Sequence, residues 1–327
     1  MAETTNIAKM AEKLSKELFA EFLWQRMDPT NINWPCEDVA KHKAKTHPSD
    51  VVFYYEEPYS QARTYVNCDL KSYAKGTING SNIRSSIESL ARAVSCAEKS
   101  NEWRDKYLHE HVTPEICGLL FVYNHDGEYD KDFNTLLGQF KNDKLDIPTK
   151  SKIVVLGPQD IFWLNNVRHE IILMRGGNGE LPDREHCRYF YPHLVRRKNI
   201  QLDNAKASTL EMLTAPWIIL SYVDPKKQNR KGFVVFYRRD GSSTEEFLYL
   251  IDYLMHYQVI VKDTDIYIKT LNAHSNAAAF FAKAKDRYVD ECEGGKDIKD
   301  HLDSIKFSQI NDVRTKFSDL EIGMDNG

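Results

Sequence analysis

Two aspartates and a lysine fall within a stretch that reads as one short β-hairpin, and that combination can hold a divalent cation against a phosphate. The stretch runs His47-Pro48-Ser49-Asp50, then Val51 to Tyr55, a turn near Pro58 to Gln61, and Tyr65-Val66-Asn67-Cys68-Asp69-Leu70-Lys71. Opposed residues of an antiparallel hairpin have a constant sum of residue numbers. A turn centred between Tyr59 and Ser60 sets that sum at 119, which Asp50 and Asp69 satisfy. Directly opposed β-carbons lie roughly 4.5–5.5 Å apart. Two carboxylates so placed repel, and one loses its ionisation unless a cation sits between them.

Strand alternation adds the lysine. Val66, Cys68 and Leu70 point to one face, apolar and suited to a core, while Asn67, Asp69 and Lys71 point to the other. Magnesium takes hard oxygen ligands, commonly one or two protein carboxylates together with substrate phosphates. An ammonium beside such a site can orient the attacking water or stabilise charge developing on a phosphate. The chemistry expected is metal-assisted hydrolysis of a phosphodiester.

These residues resemble the PD-(D/E)xK nuclease superfamily over about the first half of the chain. Asp50 after His47-Pro48-Ser49 matches the first acidic element, with Ser49 inserted where the family often has proline next to the aspartate. Asp69-Leu70-Lys71 matches the second element. The resemblance implies that Asp50 and Asp69 ligate magnesium, with manganese as a substitute, that the Leu70 carbonyl adds a ligand, and that Lys71 serves the nucleophile. It also implies a glutamate on the first helix, a place that Glu17 or Glu21 can fill. Asp-x-Lys recurs at Asp224-Pro225-Lys226 and Asp297-Ile298-Lys299, but only Asp69-Leu70-Lys71 lies on an alternating strand behind a partner strand.

The elements that must position these groups follow from periodicity. Ile7, Met10, Leu14, Leu18 and Phe22 form one helical stripe over residues 5–26, with Glu17 and Glu21 at its edge. Residues 28–48 read as irregular, with three prolines and no clear strand ahead of Asp50. A helix over about 82–108 presents Ile83, Ile87, Leu90, Val94 and Ala97. Glu115 to Tyr123 reads as a buried central strand, then a short helix around 131–140, a strand at Lys152 to Leu156, and a helix over about 161–174 that Asp160 can cap. Alternating strands and helices predict an α/β fold. With the resemblance, this becomes a restriction-endonuclease-like mixed sheet flanked by helices, accompanied by a second, smaller α+β domain.

The domains are placed at 1–175 (nuclease-like), 176–290 (accessory, for substrate binding, dimerisation or partner sensing) and 291–327 (charged tail). The second part offers strands at Trp217 to Tyr222 and Gly232 to Tyr237. Ser243 stands three residues before Glu246, the spacing of a capping box. A hairpin of Val259-Ile260-Val261 with Ile266-Tyr267-Ile268 is expected, then a helix from about 275 to 290. The glycines of Arg175-Gly176-Gly177-Asn178-Gly179 follow a helix and lack Gly-Lys-Ser/Thr, so they read as a helix stop and not a phosphate loop.

Composition bounds the rest. The 327 residues carry 42% hydrophobic and 28% charged side chains, which marks a globular chain. No apolar run reaches spanning length, so no membrane association is expected, and the N-terminus lacks the pattern of a secretory signal. Six cysteines without any Cys-x-x-Cys argue against a zinc ribbon and a disulfide framework, and a cytoplasmic setting is expected. The net charge of −4 does not advertise nucleic acid, but Lys41, Lys43 and Lys45 lie just ahead of Asp50 and Lys75 just beyond Lys71. These four are the candidate phosphate contacts. Further clusters at Arg196-Arg197-Lys198 and Lys226 to Lys231 read more simply as solvated loops, as does His109-Glu110-His111. Asp126 and Asp160 follow strand ends and read as turn and cap residues.

The function expected is a magnesium-dependent DNA endonuclease in phage defence or restriction, a homo-oligomer that works with DNA and a protein partner or activator. The alternative is a nuclease-like nucleic-acid-binding or regulatory subunit of a larger complex without catalysis of its own. A purely structural subunit is the third reading.

Overall fold

The computed structural model describes residues 2–145, 147–177, 179–192, 205–291 and 296–314. Two compact units emerge, one built on Met1–Leu164 with Gln201–Leu210 and Arg314–Gly327, the other on Asn165–Ile200 and Glu211–Val313. The division falls at Leu164, within one unbroken helix (Pro158–Gly176).

In chain order the first unit contains α1 (Ala2–Glu21), β1 (Gln25–Met27), β2 (Ile32–Pro35), α2 (Val39–His42), β3 (Thr46–Ser49) and β4 (Val51–Glu56). It continues with β5 (Ala62–Tyr73), α3 (Gly80–Ala97), α4 (Asn101–Tyr107), β6 (Thr113–Asn124), α5 (Phe133–Gly138) and β7 (Ile153–Leu156), after which α6 (Pro158–Gly176) begins. The main sheet has the order β1-β4-β5-β6-β7. β1, β4 and β5 are antiparallel neighbours, while β6 and β7 join in parallel, so the sheet is mixed. β4 and β5 pair with Val51 opposite Cys68 and Glu56 opposite Arg63, the register expected from the hairpin rule.

Helices cover both faces. On one, Phe19 of α1 meets Phe53 and Phe121 edge-on and stacks on Trp24. Phe53 is paired with Val66 and Phe121 with Leu70, so this is the Val66–Cys68–Leu70 face. On the other, Ile83, Ile87, Leu90 and Val94 of α3 pack with Tyr65, Leu120 and Val122. Gly118 allows that approach, since a β-carbon there would run into Leu90, Val94 and Ile153. The long helix expected over 82–108 is two helices, because Ser100 starts a second one by accepting the Trp103 N–H.

Residues 28–48 are more ordered than their prolines suggest. β2 and β3 pair antiparallel as a small separate sheet, with Pro35 and Pro48 placed on strands short enough to tolerate a missing donor. β1 adds an edge strand to the main sheet.

The second unit holds β8 (Cys187–Tyr189), β9 (Trp217–Asp224), β10 (Arg230–Tyr237), α7 (Thr244–His256), β11 (Thr264–Leu271), α8 (Ala277–Glu291), α9 (Lys296–Asp303) and β12 (Lys306–Ile310). Its sheet has the order β12-β11-β10-β9-β8, with β10, β11 and β12 parallel. Ser243 caps α7 as its spacing predicts, accepting the Glu246 N–H at 3.2 Å. Two expectations are corrected here. Val259 and Ile260 are buried but form no strand, because both neighbours of β11 are parallel strands and leave no hairpin partner. The stretch after residue 291 is no loose tail over its described part, since Leu302 and Ile305 are buried and β12 extends the sheet. No helix among the described residues is long and apolar enough to cross a membrane.

Candidate active site

The carboxylates meet where β4 begins. Asp50 precedes the first paired residue, Val51, so its backbone leaves the ladder: its carbonyl accepts the Asn31 N–H at 2.8 Å. Its side chain does what the next ladder bond would have done. Asp50 Oδ2 accepts the backbone N–H of Leu70 at 2.7 Å. That bond turns the Asp50 carboxyl group toward β5, where the Asp69 charge acts on it. Lys71 closes the group, its Nζ 2.5 Å from Asp69 Oδ1.

Electrostatics follow from this crowding. Burial pushes the Asp50 pKa up to about 6; the Asp69 charge adds to the rise, while the Leu70 N–H and the Lys71 ammonium oppose it. Burial alone would lower the Lys71 pKa, but the adjoining Asp69 carboxylate outweighs it and holds that pKa above the usual lysine value. The two carboxyl groups offer an all-oxygen donor set, which fits a hard divalent ion.

The Leu70 peptide has the right orientation to contribute. In an extended strand the N–H and C=O of one residue point the same way. The Leu70 N–H points to Asp50, so its carbonyl faces the same side, beyond the end of β4.

The other expected site residues fall in three places. Glu17, half-buried, and Glu21, 4% exposed, lie on α1, which covers the Val66–Cys68–Leu70 face, opposite the one to which Asp69 and Lys71 project. Lys41, Lys43 and Lys45 are exposed around α2 and the turn after it, between β2 and β3. Lys75 is ion-paired with Asp130 at 2.8 Å. Asp126 serves a turn, accepting the Lys75 and Glu128 N–H groups. Asp160 accepts the Gly157 N–H at 3.0 Å, from inside the first turn of its helix. His109 bonds Tyr65, with Nδ1 3.0 Å from the phenol oxygen. In the second unit Lys227 and Arg230 are paired with Asp224 and Asp265. The Arg196-Arg197-Lys198 cluster lies outside the described residues.

Sequence reasoning passed over one residue of the same face. Asn67 is 1% exposed, stands two residues before Asp69, and neither its amide nitrogen nor its amide oxygen has a hydrogen-bond partner. A polar side chain in the middle of a sheet face was the available signal.

Residues 1–160 match the model of the GAPS4 protein PD-(D/E)XK nuclease domain. The N-terminal half is a PD-(D/E)XK nuclease domain. The mixed sheet flanked by helices is the fold expected of it. Searches of the curated proteins and of the solved structures return no match.

Proposed function

We propose that the chain is a magnesium-dependent endonuclease that hydrolyses phosphodiester bonds in DNA and acts in defence against foreign DNA. The observation that carries this reading is the meeting of Asp50, Asp69 and Lys71 at the mouth of one hairpin, within the segment that matches a nuclease family. The match to a defence-associated family supports the setting.

Asp50 and Asp69 would hold the cation, with the Leu70 carbonyl as a further oxygen. When bound, the metal supplies Lewis-acid polarisation of a phosphate oxygen and neutralises charge as it develops. Lys71, on the same strand face, donates hydrogen bonds to the incoming water or the phosphate. The exposed lysines at 41, 43 and 45 supply sequence-independent attraction for the backbone.

The test is cleavage of plasmid and linear DNA, with RNA alongside, by the purified full chain in magnesium or manganese. Asp69→Ala and Lys71→Ala are the comparisons. Wild-type cutting that falls about a hundredfold or more in both variants supports the assignment. Equal cutting by all three removes these residues from the site. DNA binding without turnover, unchanged by added metal, favours the regulatory-subunit reading instead.

A further inference from the structure

A second cluster of metal-ligating side chains lies apart from the two carboxylates. Cys36, at the end of β2, His42, at the end of α2, His47, on β3, and Cys96, near the end of α3, are all buried, and one donor atom from each lies within 4.8 Å of the others. Cys36 Sγ is 3.4 Å and Cys96 Sγ 3.2 Å from His42 Nδ1, and the two sulfurs are 3.7 Å apart.

These separations can be compared with a tetrahedron. With zinc–sulfur bonds of about 2.3 Å and zinc–nitrogen bonds of about 2.0–2.1 Å, tetrahedral geometry sets sulfur–sulfur edges of roughly 3.8 Å and sulfur–nitrogen edges of roughly 3.6 Å. The three measured edges lie close to these values. A further observation points to a ligand. His47 Nε2 is buried with no hydrogen-bond partner.

We infer that Cys36, His42, His47 and Cys96 form a structural zinc site. Two thiolates and two imidazoles select zinc over magnesium or calcium. With all four positions taken by protein, the ion has no open coordination site for catalysis. Its place in the fold gives it a task. β2 and β3 are four residues each, and an isolated two-stranded sheet is marginal in water. The ion ties that sheet and α2 to α3, fixing the loop that carries Lys41, Lys43 and Lys45 and the strand that leads from His47 into Asp50. Neither disulfide nor zinc-ribbon spacing announces it, because Cys96 lies 60 residues beyond Cys36.

The inference is independent of the nuclease reading and is tested by metal content. Full-length protein purified without chelator from zinc-supplemented cells is expected to carry about one zinc per chain. Asp69→Ala retains it, and Cys36→Ser and Cys96→Ser fall to near zero. Cobalt exchanged into the wild type shows thiolate-to-cobalt charge transfer and the intense visible bands of a tetrahedral ion. His42→Cys keeps one metal per chain with a stronger charge-transfer band, which guards against loss through misfolding alone. Zinc-free wild type that gives no such cobalt spectrum overturns the site. So does a Cys36–Cys96 disulfide found by mass spectrometry in freshly purified protein, or full zinc content in both serine variants.

Discussion

Asp50 and Leu70 are joined by a 2.7 Å hydrogen bond from the Leu70 backbone N–H to the Asp50 carboxylate, two residues past Cys68, the last residue of β5 paired with β4. A side chain thus substitutes for a strand. The substitution brings a second carboxyl group beside Asp69 and leaves the Leu70 carbonyl facing the gap. The candidate site lies where the β4–β5 ladder gives out.

That arrangement costs stability when no metal is bound. Asp50 titrates at about 6 in the folded protein, above the usual aspartate value, because burial disfavours its charge. The folded state therefore binds this proton more tightly than the unfolded state, and stability falls as pH rises between about 4 and 6. A shift of about two units corresponds to at most about 3 kcal/mol above pH 6. Asp50→Asn, which keeps an acceptor for Leu70, is expected to raise the melting temperature of metal-free protein by several degrees at pH 8 and to match wild type near pH 4. Magnesium should stabilise wild type at pH 8 and not the variant. Thermal melts at both pH values check this, and a variant less stable than wild type at pH 8 contradicts it.

Lys71 separates binding from turnover. Its ammonium is held on Asp69 and stays charged well above neutral pH. Lys71→Met keeps the aliphatic stem and removes only the charge. Cleavage is expected to drop by about two to four orders of magnitude, while manganese affinity, read by calorimetry, holds or tightens because a competing cation has gone. A large loss of metal affinity would mean that Lys71 organises the carboxylates and does not serve the nucleophile.

Asn67 offers a different contrast. Its buried amide has no partner on either atom, a cost of about 1–3 kcal/mol for the unmet polar groups. Asn67→Leu, similar in volume, is expected to raise the urea midpoint. If the amide faces substrate or its water, the same variant loses activity at least about tenfold while gaining stability. Loss of both would show that Asn67 has a structural partner in solution.

What could be read from the chain was what local pattern governs. The hairpin register follows from turn position alone, and the α3 stripe from Ile83 to Ala97 is buried as its spacing requires. Three features escaped for physical reasons. β2 and β3 are too short for periodicity and contain prolines. α9 has one buried residue, Leu302, amid charges, so its composition is that of a tail. The four-donor cluster draws on β2, α2, β3 and α3, and sequence spacing holds no trace of that convergence. The helix glutamates show the converse: a stripe edge locates Glu17 and Glu21 on their helix but cannot say which sheet face that helix will cover.

Ser49, the residue that interrupts the family's usual Pro-Asp step, has a role in the core. Its Oγ lies 3.0 Å from Trp34 Nε1 and 3.3 Å from Trp103 Nε1, accepting both indole N–H groups. Both tryptophans are fully buried, so each donor has lost its water. Proline could accept neither bond. Ser49→Ala strands two buried donors at once and is expected to cost about 2–4 kcal/mol, more than a single lost hydrogen bond in the same core. Because Ser49 is the residue before Asp50, loosening it should also blur the position of the Asp50 carboxyl group. Cleavage at a temperature where the variant is still folded is then expected to fall roughly threefold to thirtyfold, with metal affinity weakened in step. Urea denaturation read from tryptophan fluorescence, beside cleavage and metal titration, separates the two effects. Unchanged stability would show that the two indole bonds contribute nothing. A destabilised variant with full activity would show that Asp50 is held by Leu70 and Asn31 alone.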